Sequence, residues 1–299
     1  MLHLRSDRWL AWLFVAPAMG LIGLFVLLPV ASMLGLSFSD ATLTLRERPE
    51  WVGLRNYADL ARDVGFRHAL RNTALFAVLI TPAQTALALL LALACDGRGA
   101  DRRLLRLCVF VPTTLSLAVL SVVWKLLYAP LTAEGGGLIN GLLASLGLPP
   151  QPFLTSPAQA LYAIAAMSVW QGVGLQMAIF LAGLQQVPRV LHEAAALDGA
   201  GRWMRLRHVT LPALAPTVVF VVLITSVLAF KLFVQPYVMT AGGPQDATRS
   251  LVQHIYEAAF RQRSLGLASA AGVVFLMLVL GLTLLLRRRM QPYEQGAVA

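Results

Sequence analysis

Glu193 is followed by three alanines and then by Leu197, Asp198 and Gly199, within the charged stretch Val187-Pro-Arg-Val-Leu-His-Glu193-Ala-Ala-Ala-Leu-Asp198-Gly-Ala-Gly201-Arg-Trp203-Met-Arg-Leu-Arg-His-Val-Thr-Leu211-Pro212. A carboxylate beside a run of methyl groups makes a helix face that another protein can approach closely and can tie with a cation of its own. The chemistry that this spacing suggests is recognition. Pro188 suits a first helical turn, Glu193 to Leu197 are strong helix formers, and Gly199 or Gly201 can take the positive φ of a helix end. The predicted shape is a short helix, a glycine turn and a second amphipathic helix. The competing reading is an interfacial helix that tethers two membrane spans, with Trp203 and the neighbouring arginines at the headgroups.

The remaining reactive residues do not assemble into a catalytic set. His3, His68, His192, His208 and His254 are scattered, with no HExxH and no GxSxG around them. Lys125 and Lys231, the two lysines of the chain, are each followed by Leu, so neither can close a phosphate-binding P-loop. Cys95 and Cys108 flank an Arg-rich stretch without ligand spacing and read as reduced bystanders. The expectation is a non-catalytic chain with no metal or cofactor of its own.

Composition says what must position the Glu193 stretch. The 299 residues are 58% hydrophobic and 13% charged, with a mean hydropathy of +0.71, far more apolar than a soluble domain. A spanning helix needs about 20 apolar residues. Six segments qualify, at about Trp9–Val30, Leu70–Ala94, Leu104–Tyr128, Ala158–Ala182, Leu211–Phe233 and Ser264–Leu286, and none holds an Asp or Glu. The fold class expected is an all-α polytopic membrane protein with six transmembrane helices. The first segment is too long for a signal peptide and has no cleavage site, so it reads as an uncleaved anchor. Prolines at 17, 29, 82, 112, 212 and 216 read as kinks that neighbouring helices re-satisfy, with a hinge role for Pro82 or Pro112 as the alternative. Lys125 and Lys231 fall near span ends, where their ammonium groups can snorkel.

Orientation follows from the arginines. With the N-terminus inside, Arg5 and Arg8, Arg98 to Arg106, Arg189 to Arg207 and Arg287 to Arg289 are cytoplasmic; Arg46 to Arg71 and Arg249 to Arg263 are outside; and the loop from Ala129 to Pro157 carries no basic residue. Both termini are expected to be cytoplasmic. The net charge of +10 is then an inner-face charge, since no basic patch with stacking aromatics points to nucleic acid. The absence of intramembrane acids argues against a proton-coupled carrier. Sodium sites can be built from carbonyls and hydroxyls, so a stand-alone secondary carrier remains the alternative from another class.

At Glu193-Ala194-Ala195, Gly199 and Leu211-Pro212 the sequence resembles the permease subunits of ATP-binding-cassette importers. The fuller string EAAALDGAGRW, preceded by Val-Pro-Arg, is similar to the maltose and glycerol-phosphate type. The resemblance continues in TAGGP (Thr240–Pro244), IYEAAF (Ile255–Phe260), GLASA (Gly266–Ala270), Gly137–Asn140 and Asn72-Thr73, and covers most of the chain from Trp51 onward. It implies the type I importer permease fold, in which the loop between helices 4 and 5 forms a cytoplasmic coupling helix.

By that resemblance Glu193, Ala194, Ala195, Asp198 and Gly199, with Arg202 and Trp203 after them, dock onto an ATPase. Its implied partners are a second permease subunit, two copies of a cytoplasmic ATPase that bind the ATP and Mg, an extracytoplasmic solute-binding protein, and membrane lipid, in a bacterial or archaeal cytoplasmic membrane. The small-residue face Gly266–Gly272 suits close packing in such a permease pair. Residues 1–68 are expected to form the first helix and a long outer loop, 69–290 the permease core and 291–299 a cytoplasmic tail. Gln84, Trp124, Trp170, Gln171, Gln176, Phe230 and Gln235 are the polar and aromatic groups that could line a substrate path, although packing or interhelical hydrogen bonding is the more ordinary role for each. The resemblance points to a carbohydrate as substrate, with glycerol 3-phosphate or a related polar solute next.

Overall fold

The structure, a computed structural model, describes residues 7–44, 49–97, 99–132 and 135–295, and the side chains of 12–288 among these. Arg5, Arg46, Arg48 and Arg98, part of the arginine pattern, lie outside the described residues. In chain order the helices are α1 (Asp7–Ile22), α2 (Leu28–Leu36), α3 (Arg55–Arg62), α4 (Val64–Cys95), α5 (Ala100–Thr114), α6 (Leu117–Leu127), α7 (Leu138–Ser145), α8 (Ala160–Gln186), α9 (Arg189–Leu197), α10 (Arg202–Arg205), α11 (Leu211–Ala213), α12 (Ala215–Phe230), α13 (Val234–Met239), α14 (Leu251–Tyr256) and α15 (Leu265–Gln295). Pro29 and Pro212 supply no N–H, and one wide π turn precedes each of them, Gly23–Leu27 and Leu206–Thr210. These turns let the helix continue past the missing bond.

Among the described residues five helical stretches are long and apolar enough to span a membrane: Trp12–Leu36, Val64–Cys95, Ala160–Gln186, Ala215–Met239 and Leu265–Arg288. The third expected span is different. It is a pair, α5 and α6, bent by 101° at the break between them. Leu115 and Ser116 are extended, with ψ of 151° and 124°. The Thr114 hydroxyl turns back onto the Val111 carbonyl at 2.8 Å. The helical ladder therefore stops two residues after Pro112 and restarts on the Ser116 carbonyl. Pro82, by contrast, leaves α4 unbroken.

Contacts divide the chain into two compact units, residues 64–253 with 278–299, and residues 1–63 with 254–277. In the larger unit α4 and α8 build the core with α12 and α5. Phe76, Ile80, Ile164 and Met167 form one cluster, and Ala88, Ala92, Met177, Phe180 and Val221 another. Alanine and glycine at the crossings let backbones approach, which is how helices gain contact where lipid is as apolar as the side chains. In the smaller unit the Gly266–Gly272 face is filled from within the chain. Gly266 lies against the Ser39 backbone and the Asn56 amide, Gly272 lies against Met33 Sδ, and Ala268, Ala270 and Ala271 are buried. Intrachain packing has therefore taken the surface expected to meet a second permease.

The motifs Asn72-Thr73 and TAGGP act as staples in the larger unit. Asn72 Nδ2 donates to the carbonyls of Asp246 and Arg249 at 2.7 and 3.1 Å. Thr73 Oγ1 donates to the Ala69 carbonyl and accepts the Leu251 N–H, both at 2.8 Å. The loop they hold carries TAGGP, closed by a Thr240–Thr248 hydroxyl pair at 2.7 Å. Asn140 does the same for the next loop. Fully buried, it donates to the carbonyls of Ala129 and Gln151 at 3.1 Å and accepts the Gln151 N–H at 2.8 Å. Replacing Asn140 with Leu removes three hydrogen bonds from a buried amide and leaves the part-buried Gln151 N–H and carbonyl without it, while Ala129 keeps the Gly137 N–H, and should cost about 2 kcal/mol. A thermal melt in detergent indistinguishable from wild type would contradict this.

Candidate functional site

Two places in the larger unit carry functional geometry. The first is the loop after α8. The nine residues of α9 end at Leu197, Asp198 caps them, and Gly199 follows at φ +78°. The Gly199 N–H bonds to the Ala196 carbonyl at 3.1 Å, and the Ala200 N–H bonds to the Ala195 carbonyl at 2.9 Å. This paired closure is a Schellman cap, which needs a residue in the left-handed region and small neighbours under it. Glycine and alanine supply both.

The cap fixes which sides of α9 face inward and outward. His192 and Ala195, three apart, are half-buried, whereas Val190, Ala194 and Leu197, at i, i+4 and i+7, form an exposed stripe in which Leu197 is 90% exposed. Glu193 stands exposed beside the stripe. Past the turn, Trp203 at 72% and Met204 at 56% extend the apolar surface, flanked by the exposed Arg202. An apolar stripe open to water on a charged loop fits a protein partner better than solvent. The predicted docking residues thus share one loop, with Gly199 as its hinge-point and Ala195 on its inner side.

The second place is a cavity of about 320 Å³ among α4, α5, α8, α12 and α13. Gln84, Gln171, Gln176 and Gln235 all line it, with Ser168, Thr113, Thr225 and, at 231, an exposed lysine. Two hydroxyls organise the amides. Ser168 Oγ donates to the Ile164 carbonyl at 2.8 Å, and Thr225 Oγ1 donates to the Val221 carbonyl at 2.6 Å. Each has spent its single proton inside its own helix and can only accept from elsewhere. Gln176 Nε2 therefore donates to Thr225 Oγ1, at 2.6 Å, and Gln235 Nε2 to Ser168 Oγ, at 3.4 Å. Gln84 Nε2 donates to the Ser168 carbonyl at 3.4 Å.

The consequence falls on Gln176. Its amide is turned with NH2 toward Thr225, so its Oε1 is left buried with no hydrogen-bond partner among the described residues, on a side chain 3% exposed. A buried amide oxygen without a donor is costly and is relieved by any hydroxyl that enters.

Trp124, Trp170 and Phe230 lie elsewhere. The two indoles pack on each other at 5.4 Å, Trp124 also packs on Tyr128 at 5.2 Å, and Phe230 packs on the Phe76 cluster. None of the three lines the cavity. Lys125 Nζ reaches the Val238 carbonyl at 3.4 Å. The residues that sequence reading missed are Ser168, Thr113 and Thr225. Small hydroxyls in apolar helices are so often satisfied within their own helix that they carry no signal until a partner is seen.

Placed beside known proteins, this geometry has relatives. The profile of the family described as binding-protein-dependent transport system inner membrane component matches residues 84–292, from the first of the cavity glutamines to beyond α9 and most of α15. The chain belongs to that family. It is a multi-pass membrane component of a binding-protein-dependent transport system, in the class of ATP-binding-cassette sugar permeases. A sulfoquinovosyl glycerol permease protein of Agrobacterium fabrum is 33% identical, over 93% of this chain and 89% of its own. A trehalose/maltose permease protein of Thermococcus litoralis is 32% identical, over 92% and 91%. An sn-glycerol-3-phosphate permease protein of Yersinia enterocolitica is 33% identical, over 94% and 93%. The fold is that of a bacterial transporter involved in alginate import, with a TM-score of 0.80, 21% identity and 97% coverage of both chains. Within the family the expected all-helical permease fold is thus in place.

Proposed function

We propose that this permease forms half of the translocation path for a carbohydrate in an ATP-driven importer. The exposed stripe Val190, Ala194 and Leu197, with Glu193, Arg202 and Trp203 beside it, docks on a cytoplasmic ATPase, and the glutamine-lined cavity lies on the path. The complete machine has a second permease, two ATPase copies that hold the ATP and Mg, and an extracytoplasmic solute-binding protein. Both termini of this chain are cytoplasmic, and the chain itself catalyses nothing. The exposed stripe Val190, Ala194 and Leu197 on a rigidly capped helix carries the ATPase reading. Closure of a partner can shift a transporter between states only through contacts that differ between them, and α9 is shaped to make such contacts.

The substrate reading rests on Gln176 Oε1. An acceptor amid neutral amides suits the hydroxyl of an uncharged polyol or sugar. The lysine at position 231, on the cavity lining, is what favours the second reading, a glycerol phosphate, and the relatives include both kinds.

Gln176→Leu should raise the substrate concentration for half-maximal uptake about tenfold, the worth of one to two hydrogen bonds. Thr225→Val, which removes the acceptor that orients the amide, should have a similar but smaller effect, and Thr225→Ser should restore it. Unchanged uptake in both Gln176→Leu and Thr225→Val overturns the cavity assignment.

The assembly is tested by extracting the chain from its native membrane in mild detergent and identifying what accompanies it by mass spectrometry. Recovery of an ATPase, a second permease and a binding protein is expected. A chain that purifies alone and drives uptake in liposomes from an ion gradient would instead be a secondary carrier.

A further inference from the structure

The inner side of α9, away from the docking stripe, closes a second cavity of about 880 Å³ lined by Asp96, Gly97, Arg106, Leu184, Gln185, Val187, Arg189 and His192. It lies where the ends of α4 and α8 meet the starts of α5 and α9. Arg106 is held there by the end of α4. Its Nε and Nη2 donate to the Cys95 carbonyl at 3.1 and 2.6 Å, and Nη2 also donates to the Gly97 carbonyl at 2.6 Å. Those bonds use three of the five guanidinium protons. The two on Nη1 have no acceptor among the described residues. Arg189 and His192, three apart on α9, face the same space, and no side chain caps the first turn of that helix. The Asp96 carboxylate on the rim offsets one of the two guanidinium charges, so the lining stays cationic.

Beside these groups Leu184 and Val187 supply an apolar wall. A fixed guanidinium, a second arginine and an imidazole opposite an aliphatic wall, at the ends of two spanning helices, match an amphiphile with an anionic head.

We propose that this cleft binds the phosphate headgroup of an anionic membrane lipid, with Arg106 and Arg189 on the phosphate oxygens, His192 donating beside them, and the glycerol and first methylenes along Leu184 and Val187. The site lies behind α9, so a bound lipid brackets the helix from the side opposite its ATPase-facing stripe and is independent of that assignment.

The test is native mass spectrometry of the full chain in detergent, titrated with phosphatidylglycerol, phosphatidylcholine or diacylglycerol. Retention of phosphatidylglycerol about tenfold tighter than phosphatidylcholine is expected, roughly the worth of two basic contacts at a membrane surface. The Arg189→Gln/His192→Gln double variant should lose most of that preference. Arg103→Gln, which removes an exposed arginine of α5 outside the cleft, should keep it, and all three proteins should melt alike. Loss in the Arg103 variant equal to that in the double variant, or no headgroup preference in wild type, overturns the proposal. Displacement of the lipid by millimolar glycerol phosphate also overturns it, because it assigns the cleft to a soluble anion.

Discussion

Gly199→Val should abolish uptake, by more than tenfold, in a protein that is still made, inserted and folded. Nothing lies within 4 Å of where a Cβ would stand, so the substitution creates no clash. The cost is entirely conformational. At φ +78° an L-residue pays about 1–2 kcal/mol, and a β-branched one is the least tolerant. The strain is relieved by releasing the bonds from Gly199 and Ala200 to Ala196 and Ala195. A nine-residue helix is too short to persist without its cap. On the proposed mechanism a frayed α9 cannot transmit ATPase closure, although the spans are untouched. Asn tolerates the left-handed region, so Gly199→Asn should retain much of the activity. Reconstituted uptake and ATPase stimulation, with a thermal melt alongside, separate the outcomes. Normal uptake by the valine variant would remove α9 from the mechanism, and equal loss in the asparagine variant would place the effect in the missing glycine flexibility instead of in φ.

Gly174→Leu should have the largest effect on folding. Gly174 is buried where α8 crosses α5, and a Cβ there would stand 2.9 Å from Phe110 Cα and 2.7 Å from Thr113 Oγ1, with the Val109 carbonyl also in its way. Backbone atoms cannot swing aside as a flexible side chain can. Overpacking of this kind costs about 1–3 kcal/mol for added methylenes in a tolerant core, and leucine adds four carbons against a helix backbone. The crossing must open, breaking the bond from Thr113 Oγ1 to the Gln171 carbonyl at 3.0 Å and parting one wall of the glutamine cavity. The expected result is loss of the monodisperse peak in size-exclusion chromatography. Gly141→Ala, at a helical position in α7 with nothing within 4 Å, should be neutral. A Gly174→Leu protein that runs and melts like wild type would refute the crossing geometry.

The two faces of α9 show how far the sequence alone could be read. Glu193, the alanines and Gly199 are legible because a helix cap is written in residues three to five apart, so the Schellman turn follows from local chemistry. The four glutamines were legible as polar groups that must find a partner or a cavity inside a span. Trp124, Trp170 and Phe230 were open to the same argument, yet an aromatic ring is as stable against another ring as against a substrate, and packing won. The third span read as one apolar run because hydropathy does not register an extended pair such as Leu115-Ser116. The small-residue face at Gly266–Gly272 announced close packing without saying with what.

The sequence by itself determined the apolar helices, their number to within the bent pair, the capped charged loop and the family. These depend on composition and on spacings within a few turns of chain. Only the tertiary structure decided that the Gln176 oxygen is left open toward the cavity, because its amide is turned by Thr225, 49 residues away. It alone showed that Asn72 holds a loop 174 residues downstream and that Arg106 and Arg189 share a cleft. Hydrogen-bond direction and cavity shape arise when distant helices meet, and no local pattern encodes which donors and acceptors that meeting leaves unpaired.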